Sequence, residues 1–311
     1  MRNAFASAIH SLARENEDVL LLYGDIGNKL FDEYKEEFPH RAINSGIAEA
    51  NMVSVAAGLA KEGFKPFAYT INSFLYLKAL EQIKLDVCYT NLPVTLVGTG
   101  AALSYSALGT SHHSLEDIGV LRNLPNLQIF SPSDPNELSH LVGFIHESSH
   151  PSYIRLGKKG ERNLPVYEVI SSSRAYYGIQ RRSEYFSNEG VILCHGTINE
   201  NVASAVKKLE TRGLKLEHYS LPQIKPMDMS SLSSILAKHR NLVVVEEHNS
   251  TGGLTEIVAC DYLAKNSMNF LALNAGMRFH TGLGEIEYAR KELGLSGDLI
   301  ATTIYDFFRS K

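Results

Sequence analysis

Short apolar runs rich in strand-forming residues alternate with amphipathic helical segments along the chain, and this alternation restricts the fold to the α/β class. In the first half we predict strands at 19–23, 65–70, 94–98 and 127–130, and helices at 3–15, 46–62, 74–90 and 134–148. Such a rhythm builds a doubly wound, mostly parallel sheet. Ligands bind beyond the carboxyl ends of its strands, which places 24–25, 70–74 and 98–113 along one rim.

A polar stretch with glycine and proline interrupts the alternation after residue 156 and is typical of a linker. We predict one domain over 1–157, a linker over 158–175 and a second domain over 176–311. The second domain repeats the pattern, with strands near 190–195, 214–219, 242–246 and 269–273 and helices near 199–212, 229–239, 252–266 and 285–293. The predicted fold is therefore two doubly wound α/β domains with mostly parallel sheets.

Charge and cysteine content exclude several classes of function. The 311-residue chain has a net charge of −4 and scattered lysines and arginines, so it lacks the basic stripe that nucleic-acid binding requires. Cys88, Cys194 and Cys260 lie far apart in apolar contexts, which favours reduced, buried thiols over disulfides or a metal site. No apolar run reaches the ~20 residues that span a bilayer, and no signal-like core follows Met1, so we expect a cytoplasmic protein.

One carboxylate, Glu49, begins an otherwise small and apolar helix. With Gly46 as the cap, Glu49 would be the third helical residue, where a carboxylate can accept a hydrogen bond from a free backbone N–H. On spacing alone, capping explains this residue without any catalytic role.

Three motifs, in order along the chain, indicate a role for Glu49 beyond capping. Gly-Ile-Ala-Glu-Ala-Asn-Met at 46–52, the segment 69–74 and Gly-Thr-Ser-His-His at 109–113 together resemble the pyrimidine-binding domain of transketolases. Val-Val-Val-Glu-Glu-His-Asn-Ser-Thr-Gly-Gly-Leu at 243–254 resembles the C-terminal domain of the same family. The resemblance implies thiamine diphosphate as cofactor and transfer of a two-carbon ketol unit between sugars.

The resemblance also assigns residues to the cofactor. It implies that Glu49 is the catalytic acid that hydrogen-bonds the aminopyrimidine ring, and that Phe74 stacks on that ring. Without the resemblance, Phe74 would be interpreted as an ordinary core residue. The family often carries further aromatic residues one and two turns along the helix, whereas this chain has Leu77 and Leu80, so Leu77 would contact the cofactor in a reduced ring cage.

Five residues are candidates for binding the substrate. The resemblance implies that His112 hydrogen-bonds sugar hydroxyls and moves their protons, with His113 as a weaker candidate, and that Arg155 and Arg2 contact a phosphate. Asn28 falls near a position that faces substrate. A zinc site at the two histidines is disfavoured because no cysteine is near them in the sequence.

Two departures from the family affect the acceptor sugar. Leu108 stands where transketolases usually have an aspartate that contacts a hydroxyl, and Gly100 falls where they have a second histidine. Loss of both partners favours a modified sugar or a less hydroxylated aldehyde, because an unmatched polar group is costly to bury.

The diphosphate and Mg²⁺ sites of the family are missing from this sequence. Gly24-Asp25-Ile26 lacks the second glycine of the family's Gly-Asp-Gly motif, and we expect no metal ligands in this chain. The resemblance therefore implies the C-terminal half of a split transketolase that is inactive alone and forms a heterotetramer with a separate N-terminal subunit. Alternatives are the β subunit of a 2-oxo acid dehydrogenase-type decarboxylase, a deoxyxylulose-phosphate synthase, which normally has all its domains in one chain, or a non-catalytic assembly subunit.

Overall fold

The computed structural model describes residues 1–26 and 29–310. This part of the chain forms two sheets, one of seven strands and one of six. Both sheets are mostly parallel and carry helices, which confirms the predicted α/β class with two doubly wound sheets.

The first sheet contains β1 Val19–Tyr23, β2 Ala42–Asn44, β3 Lys65–Ile71, β4 Thr95–Thr99, β5 Gln128–Phe130, β6 Ser152–Leu156 and β11 Gln223–Lys225. Its strand order is β11-β5-β6-β4-β3-β1-β2, and it is parallel except for β11. The helices of this half are α1 Arg2–Glu15, α2 Asp32–Glu37, α3 Glu49–Lys61, α4 Asn72–Lys78, α5 Leu80–Gln82, α6 Asp117–Leu121 and α7 Pro135–His146.

The central strands of the first sheet are buried because an apolar core covers each of its two faces. One core packs α3, α4 and the π-helix Ile83–Tyr89 against the sheet through residues such as Met52, Leu75 and Val87. The other packs α1 and α7 on the opposite face through Phe5 and Leu141. The carboxyl ends of the parallel strands then meet along one edge, as the sequence predicts.

The second sheet contains β7 Glu168–Ile170, β8 Ile179–Arg181, β9 Val191–Cys194, β10 Glu217–Ser220, β12 Asn241–Val245 and β13 Asn269–Leu273. Its order is β13-β12-β9-β10-β8-β7, with β7 and β8 antiparallel to their neighbours. The helices of this half are α8 Asn199–Thr211, α9 Met229–Leu236, α10 Leu254–Val258, α11 Ile286–Glu292 and α12 Gly297–Arg309. Helices α8 and α12 pack on one face and α9 and α10 on the other.

Several elements differ from the sequence-based expectation. The helix predicted over 74–90 is divided into α4, α5 and a π-helix, and α3 begins at Glu49 itself with Ala48 as its cap, so the predicted cap at Gly46 is wrong. Strand β7 lies inside the segment 158–175 that we predicted as linker, and α12 was not expected. The domain limits of 1–157 and 176–311 stay predictions.

The two halves are joined by buried polar contacts as well as by the chain. Arg182, in the second half, forms ion pairs with Asp134 at 3.1 Å and Glu137 at 3.2 Å, at the start of α7. At another point Gly252 approaches Gly119 so closely that a Cβ on Gly252 would lie 2.5 Å from the Gly119 Cα. This proximity, together with a φ of +88° at Gly252, excludes any side chain there.

The cysteines and helices bear on the remaining expectations. Cys88 and Cys194 are buried free thiols as predicted, but Cys260 is exposed, so that part of the prediction is wrong. No helix within the described ranges combines the length and the apolar character that crossing a membrane demands.

Candidate functional site

The carboxyl edge of the first sheet gathers polar and aromatic side chains from three connections. The turn after β2 leads into α3 with Glu49, α4 follows directly on β3, and the long connection after β4 carries the two histidines. Glu49 is buried, with 6% of its surface exposed, and stands at the first position of the 13-residue helix α3. The free N–H groups at this end of the helix favour a negative charge there.

Glu49, Lys78 and Phe74 are in contact. The Lys78 ammonium donates to Glu49 Oε2 at 3.2 Å and also lies 4.5 Å from the centre of the Phe74 ring. Because Phe74 and Lys78 are four residues apart on α4, they share one face of that helix. The lysine side chain is 49% exposed, so it can leave the carboxylate for solvent at little cost. Sequence reasoning missed Lys78, although its i+4 spacing from Phe74 was a usable signal.

His112 continues this group from the connection after β4. Its ring lies edge-on to the Phe74 ring at 5.1 Å and to the Tyr105 ring at 6.1 Å, and its Nδ1 is 3.0 Å from the Ser111 hydroxyl. Burial lowers the pKa of His112 from its usual value, so the imidazole is neutral near pH 7 and can donate or accept a proton. Lys158 extends the group, with its ammonium 5.0 Å from the Tyr105 ring.

Arg2 lies next to Lys158. Its Nε donates to the Lys158 carbonyl oxygen at 3.0 Å, which leaves other guanidinium N–H groups on a half-buried side chain. The structure therefore connects Arg2, Lys158, Tyr105 and His112 through successive contacts.

Arg155 occupies a different environment from the one that the resemblance implies. It is 3% exposed, its Nε donates to Asp117 Oδ2 at 2.7 Å, and its Nη2 donates to the carbonyl oxygens of Ser114 at 3.1 Å and Glu247 at 2.9 Å. Glu247 belongs to the second half of the chain. The arrangement favours a structural role for Arg155 over a phosphate contact.

Asp117 is the centre of this buried network. It also accepts hydrogen bonds from Asn72 Nδ2 at 2.7 Å and from the Tyr153 hydroxyl at 2.7 Å. Burial by itself would raise the pKa of the Asp117 carboxyl, but the adjacent Arg155 guanidinium holds the pKa below its usual range. Since Asn72 begins α4, the network fixes the helix that carries Phe74.

The other predicted residues are scattered. His113 is buried and its ring faces His280 of the second half at 5.7 Å rather than Phe74. Leu77 is 58% exposed, and Leu108 is 54% exposed on a 3₁₀ turn. Asn28 lies outside the described residues.

Gly100 has a clear physical reason to lack a side chain. A Cβ there would fall 1.9 Å from the Tyr105 ring, and the residue has a φ of +84°. The histidine that the family carries nearby therefore has no room while Tyr105 holds this position.

Metal ligands are not grouped in this site. Among residues 1–26 and 29–310, no set of three or more histidine, cysteine, aspartate or glutamate side chains is placed to hold a metal ion. The site can thus orient a ring against Phe74, hydrogen-bond it through Glu49 and contact a polar substrate through His112.

Comparisons with known proteins agree with the motifs. Residues 1–162 match the family model "Transketolase, pyrimidine binding domain", and residues 184–282 match "Transketolase, C-terminal domain". One subunit of the apulose-4-phosphate transketolase of Actinobacillus succinogenes is 34% identical over 85% of this chain and 84% of its own length.

Solved structures show the same architecture. A structure described as "Split gene transketolase, inactive beta4 tetramer" is 26% identical, covers 99% of this chain and 97% of its own, and superposes with a TM-score of 0.85. Transketolase from Campylobacter jejuni shares the fold with a TM-score of 0.81 at 18% identity, and there 98% of this chain matches only 46% of that one.

Proposed function

Because this chain belongs to the transketolase family, we propose that it is the C-terminal subunit of a split, thiamine diphosphate-dependent transketolase. The proposed reaction moves a two-carbon ketol unit from a ketose phosphate to an aldehyde acceptor. The subunit is a transferase component that works with a separate N-terminal subunit. The fold of this chain matches less than half of the Campylobacter jejuni enzyme, which supports a second subunit for the remaining part.

The contact of Glu49, Lys78, Phe74 and His112 at the sheet edge carries the proposal. A buried carboxylate beside a half-buried aromatic ring fits the aminopyrimidine, which needs a hydrogen bond to a ring nitrogen and a flat apolar surface. When bound, thiamine diphosphate would supply the carbon nucleophile and the electron sink that ketol transfer requires.

Each side chain then has a defined task. The buried Glu49 would hold the aminopyrimidine through a hydrogen bond, and Phe74 would orient the ring by stacking. Lys78 pairs with the carboxylate until the ring takes its place, and its exposed ammonium then turns to solvent. His112, neutral near pH 7, hydrogen-bonds substrate hydroxyls and passes their protons.

The substrate is proposed to be a sugar phosphate with an altered hydroxyl pattern. Arg2 and Lys158 provide positive charge beside His112, which suits a phosphate. Leu108 and Gly100 have no polar side chain to hydrogen-bond the two hydroxyls that transketolases contact at these positions. The name of the Actinobacillus succinogenes relative specifies apulose-4-phosphate, which supports a sugar phosphate.

The diphosphate and Mg²⁺ are proposed to bind the N-terminal subunit, with two copies of each subunit in a cytoplasmic heterotetramer. The split-gene neighbour is described as a β₄ tetramer that is inactive. That description supports a subunit of this type that folds and assembles by itself and still requires its partner for turnover.

The test is ketol transfer from hydroxypyruvate, measured with thiamine diphosphate and Mg²⁺ for this chain alone and for this chain co-expressed with a candidate partner. We expect activity only in the mixture, and we expect Glu49→Gln to lower turnover by about 10²-fold or more. Glu62→Gln is the matched control, because Glu62 is exposed at the other end of α3.

Two results would contradict the proposal. Activity of the chain alone would remove the need for a partner, and equal activity of the two glutamine variants would remove Glu49 from the mechanism. Release of CO₂ from a 2-oxo acid without ketol transfer would instead identify a dehydrogenase-type decarboxylase.

A further inference from the structure

The segment 248–252, which follows β12 in the second half of the chain, contacts both ends of helix α6 in the first half. The Asn249 N–H donates to the Leu115 carbonyl oxygen at 2.6 Å, just before α6 begins. Arg122, just after α6 ends, donates from Nη1 to the Gly252 carbonyl oxygen at 3.1 Å. The second half of the chain therefore holds α6 from outside the first sheet.

His248 makes the central contact with α6. It is 0% exposed, and its Nε2 lies 3.2 Å from the Gly119 nitrogen, whose N–H donates to the ring. The other ring nitrogen, Nδ1, lies 2.9 Å from the Asn249 carbonyl oxygen. Because a carbonyl oxygen only accepts, Nδ1 carries the proton and Nε2 is the acceptor for Gly119.

The charge of the His248 ring agrees with this contact. Burial lowers the pKa of His248, and Arg155 lowers it further, whereas Glu246 and Asp117 oppose the shift. The ring is therefore neutral near pH 7. A charged ring would direct an N–H from Nε2 at the N–H of Gly119, and this hydrogen bond would be lost.

Helix α6 depends on such contacts because it is short. It has five residues, Asp117–Leu121, and an isolated helix of this length is not stable in water. Gly119 belongs to the first turn, whose N–H groups have no partner inside the helix. His248 supplies an acceptor for one of these groups from the other half of the chain.

Helix α6 in turn positions the helix that carries Phe74. Asp117, the first residue of α6, accepts a hydrogen bond from Asn72 Nδ2 at 2.7 Å. Asn72 is the first residue of α4, and Phe74 follows two positions later. A shift of α6 would therefore move Asp117 and, through Asn72, the start of α4.

We propose that His248 is a positioning residue for the cofactor: by holding α6 in place, it sets where Phe74 meets the aminopyrimidine ring. This inference rests on the proposed function, because it takes Phe74 as the stacking surface. His248 acts through Gly119 and Asp117 rather than by touching the ring. The second half of the chain thus contributes to cofactor affinity.

The first measurement is the half-saturating concentration of thiamine diphosphate, together with kcat for ketol transfer, in the complex with the candidate partner. His248→Leu leaves the Gly119 N–H without its acceptor, so the half-saturating concentration should rise about fivefold or more. At saturating cofactor, kcat should stay within about twofold. His248→Gln should restore the affinity, because its amide oxygen can accept from Gly119.

The second measurement is hydrogen exchange of this chain alone, which requires neither the partner nor the cofactor. In His248→Leu, the amides of α6 and of the start of α4 should exchange about tenfold faster, while those of β1 stay unchanged. If no partner yields ketol transfer with the unchanged chain, the proposed function has failed. Hydrogen exchange then still decides whether His248 positions α4.

His239→Leu is the matched control. His239 is also a buried histidine, 6% exposed, but it precedes β12 instead of following it. Its ion-pair partner, Glu217 at 3.7 Å, lies in the second half of the chain. We expect His239→Leu to lower the melting temperature without changing the half-saturating concentration of thiamine diphosphate or the exchange of α4.

Three results would overturn the proposal. They are an unchanged half-saturating concentration or unchanged α4 exchange in His248→Leu, an equal effect of His239→Leu, and a failure of His248→Gln to restore the affinity. If His248→Leu does not fold, His248→Asn replaces it, because the shorter amide does not reach Gly119. An asparagine variant that behaves like the unchanged protein would then refute the role of His248.

Discussion

The role of Arg155 can be decided by one substitution, Arg155→Met. Methionine keeps much of the side-chain volume and removes the guanidinium, which makes three hydrogen bonds, to Asp117, Ser114 and Glu247. Asp117, which is 0% exposed, would keep its charge without its cation. Removing one partner of a buried pair costs about 3–5 kcal/mol.

The loss should be visible as a lower melting temperature. With roughly 2–4 °C per kcal/mol for domains of this size, the expected decrease is about 10 °C. Differential scanning calorimetry and urea unfolding measure it directly. The melting temperature of Arg155→Lys should lie between those of the unchanged protein and Arg155→Met. An ammonium retains the positive charge but cannot reproduce the planar set of donors.

Arg2→Met is the matched control, since Arg2 is half-buried and makes one hydrogen bond to the Lys158 carbonyl oxygen. We expect that variant to lose about 1 kcal/mol or less of stability and to raise the KM for a sugar phosphate in the reconstituted complex. If Arg155→Met instead has the same melting temperature as the unchanged protein and raises only the KM, Arg155 binds the phosphate. The argument from its burial is then refuted.

Three further predictions concern the site and the core. Phe74→Leu should raise the half-saturating concentration of thiamine diphosphate about tenfold in the complex, because stacking contributes up to about 1.5 kcal/mol beyond burial; an unchanged value would place the cofactor ring elsewhere. Gly98→Ala should destabilise the chain by about 1–3 kcal/mol in urea unfolding, since the new Cβ would lie 2.1 Å from Asn72 Oδ1. Gly58→Ala on α3 is the control: its new Cβ would have no neighbour within 4 Å, so it should stabilise the chain in the same assay. Burial lowers the pKa of His218 to about 3. The unfolded chain therefore binds the extra proton as pH falls below about 6.5, and stability should drop by up to about 1.4 kcal/mol per pH unit toward pH 3, a slope that His218→Gln should flatten.

Sequence patterns predicted strands such as β1, β9 and β12 because each is a largely apolar run. Sequence patterns missed the parallel strand β2, which has three residues. They did not predict β11, which has three residues and depends on pairing with β5, nearly a hundred positions earlier. Helix α12 was missed because its sequence, Gly-Asp-Leu-Ile-Ala-Thr-Thr-Ile-Tyr-Asp-Phe-Phe-Arg, is rich in β-branched and aromatic residues with modest helix propensity. Its packing on α8 decides the conformation.

The candidate site divides in the same way. Glu49, Phe74 and His112 are brought together, and the motifs that predicted them are local. The resemblance implied substrate roles for Arg155 and His113, and the structure places them beside Glu247 and His280 from the other half of the chain. Such contacts leave no trace in a local motif.

Strand β11 has a consequence for how this protein can be divided. It belongs to the second half of the chain and closes the β5 edge of the first sheet. A truncation at residue 162, the end of the pyrimidine-binding family match, would leave that edge unpaired and strip Asp134 and Glu137 of Arg182. Unpaired sheet edges invite pairing between chains. Chimaeras that exchange domains between relatives should therefore move β11 and Arg182 together with the first sheet.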